Sequence, residues 1–184
     1  MNTFIKGALM PKIIENIKEK LTKEAKQQIQ KYGYGKVTIR SIACSCGISP
    51  ATVYNYFESK EMLVASFLLE DWQICLQDIK KITSECKDAK TALYQTYTRL
   101  YEYIKKYENI FSDDTAAKSF AVMSGKKHIL LRDQIAKALG DCIEKHCRQK
   151  SSFAAEFIAE SLLTWTVCGK DFEEIYSVIQ YLFI

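Results

Sequence analysis

Apolar residues return every three or four positions along most of this chain, the period of an α-helix seen from one side. From Pro11, well placed in a first helical turn, Ile13, Ile14, Ile17, Leu21, Ala25, Ile29 and Tyr32 trace one stripe. They predict an amphipathic helix over 12–31, ended by Gly33 and Gly35. Thr38 suits an N-cap, Ile39, Ile42, Ala43 and Cys46 share one face, and Gly47 supplies a left-handed stop, so the second helix spans only about two turns. Ser49 can cap again and Pro50 takes a first helical position; this third helix buries Val53 and Phe57 and leaves Ala51, Thr52, Tyr54, Asn55 and Tyr56 to face elsewhere. Ser59 then caps a fourth helix running from Lys60 to Glu85.

The periodicity continues to the end of the chain. Leu93, Tyr97, Leu100, Tyr101 and Ile104 make a stripe ending near Asn109, and a short helix is expected from Thr115 to Met123. A longer one from Lys127 to Arg148 aligns Leu131, Ile135, Ala138, Leu139 and Cys142. Two more, Ser151 to Cys168 and Asp171 to Phe183, are split by Gly169. The expected class is all-α: a three-helix head over 1–58, whose first eleven residues form a loose extension, and a helical bundle over 59–184.

Composition agrees with long helices. The 184 residues are 48% hydrophobic, enough for a real core, and hold only 2 Pro and 7 Gly, few for a turn-rich β fold. MNTFIKGALM holds one lysine and no apolar block of the length a signal peptide needs, and no later stretch runs to about 18 uncharged apolar residues. A cytoplasmic protein with no membrane partner is therefore expected, and Met10 could itself be the start. Seven cysteines, an odd number, argue for reduced and mostly packed thiols. Cys142 and His146, four apart with Cys147 beside them, are the best metal candidates, but a site would need ligands from elsewhere. No metal or cofactor is expected. Nor is an enzyme, since no nucleophile, base and orienter set appears.

Charge is uneven. Residues 1–60 carry ten Lys/Arg against four Glu, net +6, and the remainder carry 16 against 18, net −2. A basic N-terminal end suits a polyanionic partner, and that end holds two short helices joined by a tight glycine turn, a helix-turn-helix. The second helix of such a motif enters the major groove. Ala51 and Thr52 are slim enough to sit there, Asn55 can pair bidentately with adenine, and Tyr54 and Tyr56 offer hydroxyl donors. Lys60 opposes its own helix macrodipole, an arrangement a nearby phosphate would turn favourable.

The run KYGYGKVTIRSIACSCGISPATVYNYFESKE, residues 31–61, resembles the DNA-binding head of the TetR-type bacterial transcription regulators. The resemblance implies phosphate contacts for Thr38, Tyr54 and Lys60. It implies base-edge contacts for Arg40 and for the third-helix surface of Ser49, Pro50, Ala51, Thr52, Asn55 and Tyr56, and packing for Ile42, Ala43, Val53 and Phe57. Ser41 stands where the family commonly has an acidic residue, and Cys44 and Cys46 replace a charged residue and an alanine. Cys44 should be exposed.

The last two helices are apolar on more than one side. In the resembled family they pair in a four-helix dimer interface, which here would take Phe157, Ile158, Leu162, Trp165, Ile175, Tyr176, Ile179 and Phe183. The family's middle helices enclose an effector pocket, for which Tyr94, Tyr97, Tyr101, Phe111, Met123, His128 and Trp165 are the lining candidates. The resemblance as a whole implies a homodimeric repressor released from a palindromic double-stranded DNA operator by a small-molecule effector. The rival readings are an adaptor of the same fold that binds no specific DNA, and a metal- or redox-dependent protein using Cys142, His146 and another thiol.

Overall fold

A computed structural model describes residues 16–120, 124–148 and 151–183. Among them the chain is helices and turns, with no strand. Three short helices form the head: α1 (Ile17–Tyr32), α2 (Ile39–Cys46) and α3 (Pro50–Tyr54). The long α4 (Lys60–Glu85) leads into a body of α5 (Ala89–Lys106), α6 (Glu108–Phe111), α7 (Asp114–Phe120), α8 (Ser124–Ala138), α9 (Gly140–His146), α10 (Ser152–Val167) and α11 (Phe172–Ile179).

Polar side chains and glycines set the boundaries in the head. The Thr38 hydroxyl accepts the Ser41 N–H and the Ser41 hydroxyl accepts the Thr38 N–H, both at 3.1 Å, closing a capping box. Ser41, the family departure, also donates to Gln28 Oε1 at 2.7 Å, so it ties the start of α2 to α1. At the other end Gly47 is left-handed, φ 70°, and the N–H groups of Gly47 and Ile48 return to the carbonyls of Cys44 and Ala43. Ser49 and Ser59 cap α3 and α4 through the N–H groups of Thr52 and Met62.

Two apolar cores share the molecule. The head core joins Leu21, Ile29, Ile42, Val53 and Phe57 to Leu63, Val64 and Phe67 of α4, and also takes in Tyr107, Ile110 and Ala116. The division expected at residue 58 is thus crossed by the head's own packing. A second core gathers the far half of α4 with α5, α8, α9, α10 and α11 around Ile79, Leu100, Leu139, Ile158 and Leu162. A 26-residue α4 spans both and mechanically connects them.

Several expectations need correction. The helix expected over 127–148 is two, α8 and α9, parting at Leu139. The buried Thr83 hydroxyl of α4 takes the Ala138 carbonyl at 2.7 Å, and Gly140 beside it is a weak helix former. The stripe expected to run to near Asn109 breaks at the buried Tyr107, whose hydroxyl donates to Asp71. The last helix stops at Ile179 and continues only as a 3-10 turn over Gln180–Leu182. Tyr32, placed on the buried stripe of α1, is 51% exposed. Ile13, Ile14 and the extension over 1–11 lie outside the described residues, as does Met123.

Candidate nucleic-acid interface and cavity

α3 is five residues long and anchored from below. Val53 is fully buried and Phe57 nearly so, which leaves Ala51, Tyr54 and Asn55 exposed and Pro50, Thr52 and Tyr56 half-buried. Asn55 is the C-cap residue of this helix, and Tyr56 leans on the head core. Thr52 and Ser49 share a hydroxyl hydrogen bond of 2.9 Å. Arg40 and Cys44, both exposed, lie four apart on α2. Thr38, Arg40, Pro50, Tyr54 and Lys60 converge around one open groove of about 590 Å³, with Glu58 and Glu61 also lining it.

Lys60 is placed differently from its expected role. Its Nζ donates to the Tyr34 carbonyl at 3.1 Å and lies 3.8 Å from the centroid of the Tyr34 ring. Burial holds the ammonium below its ordinary range, against the opposing charges of Glu61 and Asp113. A lysine at a helix N-terminus faces the positive end of the dipole, and the carbonyl and π face of Tyr34 relieve it within the DNA-free protein. Tyr34 also donates through its hydroxyl to Glu61 at 3.0 Å. Burial would raise the Glu61 carboxyl, but its backbone N–H, Ser59, Tyr34 and Lys60 together hold it below the usual range. Sequence reasoning missed Tyr34, although its place in Lys-Tyr-Gly-Tyr-Gly was visible.

The head is gripped from the body at two carboxylates that the sequence did not single out. Asp113 caps α7 by accepting the N–H groups of Thr115 and Ala116 at 2.8 and 3.0 Å, and its second oxygen accepts the Gly35 N–H of the head at 3.2 Å. Asp71 on α4 binds Lys26 of α1 at 3.1 Å and also Lys106 at the end of α5 and Tyr107 just after it. Burial would raise the Asp71 carboxyl; the three donors and the lysine charge more than offset it and hold it low.

The body carries an open cavity of about 670 Å³ lined by Trp72, Leu100, Tyr103, Ile104, Phe111, Leu131, Leu163 and Val167, with Glu108, Ser112, Lys127 and His128 as its polar lining. The polar atoms of its aromatic wall are already engaged. Trp72 Nε1 donates to Gln134 at 2.7 Å and the Tyr103 hydroxyl to the Leu68 carbonyl at 3.0 Å. Those residues therefore offer mainly carbon to an occupant. His128 Nε2 sits 2.9 Å from Glu160, whose other neighbour is the Thr164 hydroxyl at 2.5 Å.

Of the seven lining candidates, the structure brings Phe111 and His128 to this cavity. Tyr94 and Tyr97 pack on Phe172 instead, at 5.2 and 5.8 Å between centroids, and Tyr101 stacks on Tyr97. Trp165 lines a separate groove of about 360 Å³ with Phe157 and Val178. The remaining lining residues went unnoticed because no sequence pattern reports which helices surround a void.

The interface candidates divide in the same way. Ile158, Leu162, Ile175 and Ile179 are buried in the chain's own core, and Ile175 and Ile179 also line the groove that holds Trp165. Tyr176 and Phe183 are half-buried. Phe157 and Trp165 remain exposed, along with Phe153, Tyr181 and Val178. Among the described residues no three His, Cys, Asp or Glu are placed to hold a metal ion. Cys142 is fully buried, and the Cys147 thiol donates to the Leu182 carbonyl at 3.1 Å.

Comparison with known proteins agrees with the arrangement of the head. Residues 21–67 match the family model described as bacterial regulatory proteins, tetR family. Over 96 residues the chain is 33% identical to the HTH-type transcriptional regulator YuxN of Bacillus subtilis, covering 52% of this chain and 33% of that protein. It is 22% identical over 124 residues to the HTH-type transcriptional regulator UidR of Escherichia coli, covering 66% of this chain and 63% of that protein. The match thus spans a third of one relative and under two thirds of the other. Among solved structures, a TetR-family transcriptional regulator from Pectobacterium atrosepticum superposes with a TM-score of 0.67 at 12% identity, over 91% of this chain and 88% of that one.

Proposed function

This chain belongs to the tetR family of bacterial regulatory proteins, and from that premise we propose that it is a homodimeric, cytoplasmic repressor. In this reading it leaves a palindromic operator when a small apolar or amphipathic effector enters the body. The observation that carries the reading is the head itself: exposed Arg40, Tyr54 and Asn55 on a helix-turn-helix, beside a groove bounded by Thr38 and Lys60. Half-site recognition requires two heads at fixed spacing. The exposed Phe153, Phe157, Trp165, Val178 and Tyr181 offer an apolar face for a second copy. On DNA, Lys60 exchanges the Tyr34 carbonyl for a phosphate oxygen.

The effector class follows from the cavity. About 670 Å³ is within the range of small-molecule sites. A wall of carbon with polar groups among its lining suits an apolar body bearing one polar end. Such an occupant would press on Phe111 and Ser112, adjacent to Asp113, whose carboxylate holds Gly35 of the head. Two states of that contact would carry a coupling of about 1–3 kcal/mol, typical of allosteric ligands.

Gel shift of the full chain with the DNA upstream of its own gene tests the DNA half. Retention of that fragment over random competitor is expected, and equal competition by both would sink the reading in favour of an adaptor. Tryptophan fluorescence tests the effector half, because Trp72 lines the cavity and Trp165 does not. An apolar ligand that releases the operator should quench wild type and Trp165→Phe but not Trp72→Phe.

A further inference from the structure

All seven cysteines are free thiols, and two of them meet where the long helix ends. Cys86 is the C-cap residue of α4 and is half-buried; Cys142 is on α9 and fully buried. Cys86 packs against the small cluster of Ala89, Ala92 and Cys142, with Phe183 beside it. Cys86 also donates to the Thr83 carbonyl at 3.3 Å. Asp88 and Lys145 are the charged groups nearest Cys142, and they oppose each other. No role in DNA or effector binding uses this pair.

We infer that Cys86 and Cys142 form an oxidisable dithiol site, closed by hydrogen peroxide to an intrachain disulfide that pins the end of α4 to α9. The reaction begins at Cys86, the member that solvent can reach, because burial and the neighbouring thiol push Cys142 up to about 12 and keep it protonated. The Cys86 thiolate attacks one peroxide oxygen. The O–O bond breaks, an S–O bond forms, and the departing hydroxide takes up the proton that Cys86 released, giving water and a sulfenic acid. The Cys142 sulfur then displaces the hydroxyl from Cys86. The S–O bond breaks, the S–S bond forms, and the Cys142 proton leaves with the hydroxide as a second water. Two thiols lose two electrons and two protons, which reduce one peroxide to two waters.

The partners distinguish this site from the other cysteines. Cys75 is buried against the Arg99 carbonyl, Cys46 against Lys20, and Cys147 against Leu182. Cys44 and Cys168 are exposed. The site also has a mechanical consequence, since α4 carries the head at its first residues and Cys86 at its end. A cross-link there removes freedom from the connection between the two cores.

Peptide mapping tests the assignment. Full-length protein is treated with hydrogen peroxide, remaining thiols are capped with N-ethylmaleimide, and the chain is cut with trypsin without reduction. Residues 82–87 (ITSECK) and 138–145 (ALGDCIEK) each hold a single cysteine, so their joined mass, two hydrogens lighter than the sum, identifies the bond. Oxidised wild type should melt roughly 5 °C above the reduced form. Cys86→Ser, a change at a half-buried position that the fold should accept, should show neither the joined peptide nor the rise. Cys142→Ala, checked for native helicity, should leave Cys86 to over-oxidise to the sulfinic acid. Absence of the joined peptide while Cys86 of wild type becomes sulfinic overturns the proposal. So does an equal melting rise in wild type and Cys86→Ser.

Discussion

In the head, α2, α3 and α4 start on Thr38, Ser49 and Ser59, each accepting a backbone N–H at 3.1 to 3.2 Å from three residues ahead. In the body, the start of α9 has no side-chain cap of its own, and the break before it is fixed by Thr83, 55 residues away from Ala138. Both regions are helical and well packed, and side chains cap α5, α10 and α11 of the body as well, so the difference lies at the α8–α9 break, which is set by neighbours in space rather than in sequence. The body can alter its cavity through substitutions that leave each helix intact.

The comparison breaks most severely where the two regions share side chains. Phe67 is fully buried in the head core, stacks on Tyr107 of the body at 5.9 Å, and carries Lys26 over its ring. Phe67→Ala leaves a void between regions that cannot collapse independently, at a cost of about 3–5 kcal/mol. Thermal unfolding by circular dichroism should show one transition moved strongly downward. Two separated transitions, with only the first displaced, would mean that the head and body are energetically independent.

Next in size is the surface that only the body owns. Phe157 is 42% exposed in the single chain, so Phe157→Glu should leave the fold nearly unchanged. Between two copies the same carboxylate would be desolvated without a partner, opposing association by about 3 kcal/mol or more. Light scattering at micromolar concentration should show wild type as a dimer and the variant as a monomer. A monomeric wild type refutes the interface outright.

What the sequence disclosed follows the same division. Caps at Thr38, Ser49 and Ser59 and the left-handed Gly47 and Gly169 act within a turn of themselves, so their meaning is present in the local string. Val53 and Phe57, four apart, declare their inward face for the same reason. Ile158 and Ile175 appeared equally fit for a dimer face, because apolar residues on a two-sided helix do not say which side meets its own chain. Tyr94, Tyr97 and Tyr101 carry a helical period but point it at Phe172, while Trp72 and Leu163 reach the cavity from helices with no shared pattern. Lys60 was legible as a cation at a helix start; its partner 26 residues earlier was not.

Within the head, base reading and backbone holding can be separated. Asn55 is exposed at the end of α3, and Asn55→Ala should weaken operator binding by about 1–3 kcal/mol while leaving random DNA nearly unaffected. Competition binding against both DNAs measures the difference. If the two fall equally, α3 is not docked as argued, and the base contacts assigned to Ala51 and Thr52 fall with it.

The smallest effect concerns Lys60, which the proposed phosphate contact would draw away from Tyr34. Without DNA its ammonium is satisfied by the Tyr34 carbonyl and ring, so Lys60→Ala should change stability little, since partly exposed ion contacts contribute about 1 kcal/mol or less. In the complex the same ammonium would lie at the N-terminus of α4, where a phosphate is attracted both by the cation and by the free N–H groups of the first turn. Exchange of Tyr34 for phosphate predicts a loss of about tenfold or less on operator and random DNA alike, because a phosphate contact carries no base information. It also predicts that the slope of log affinity against log salt concentration falls in magnitude by about 2 for a dimer, one contact per subunit. Titrations of wild type and Lys60→Ala at several salt concentrations distinguish the alternatives. An unchanged slope would leave Lys60 on Tyr34 in both states, as a structural cation of the head, and the phosphate role would pass to Thr38 and Tyr54 alone.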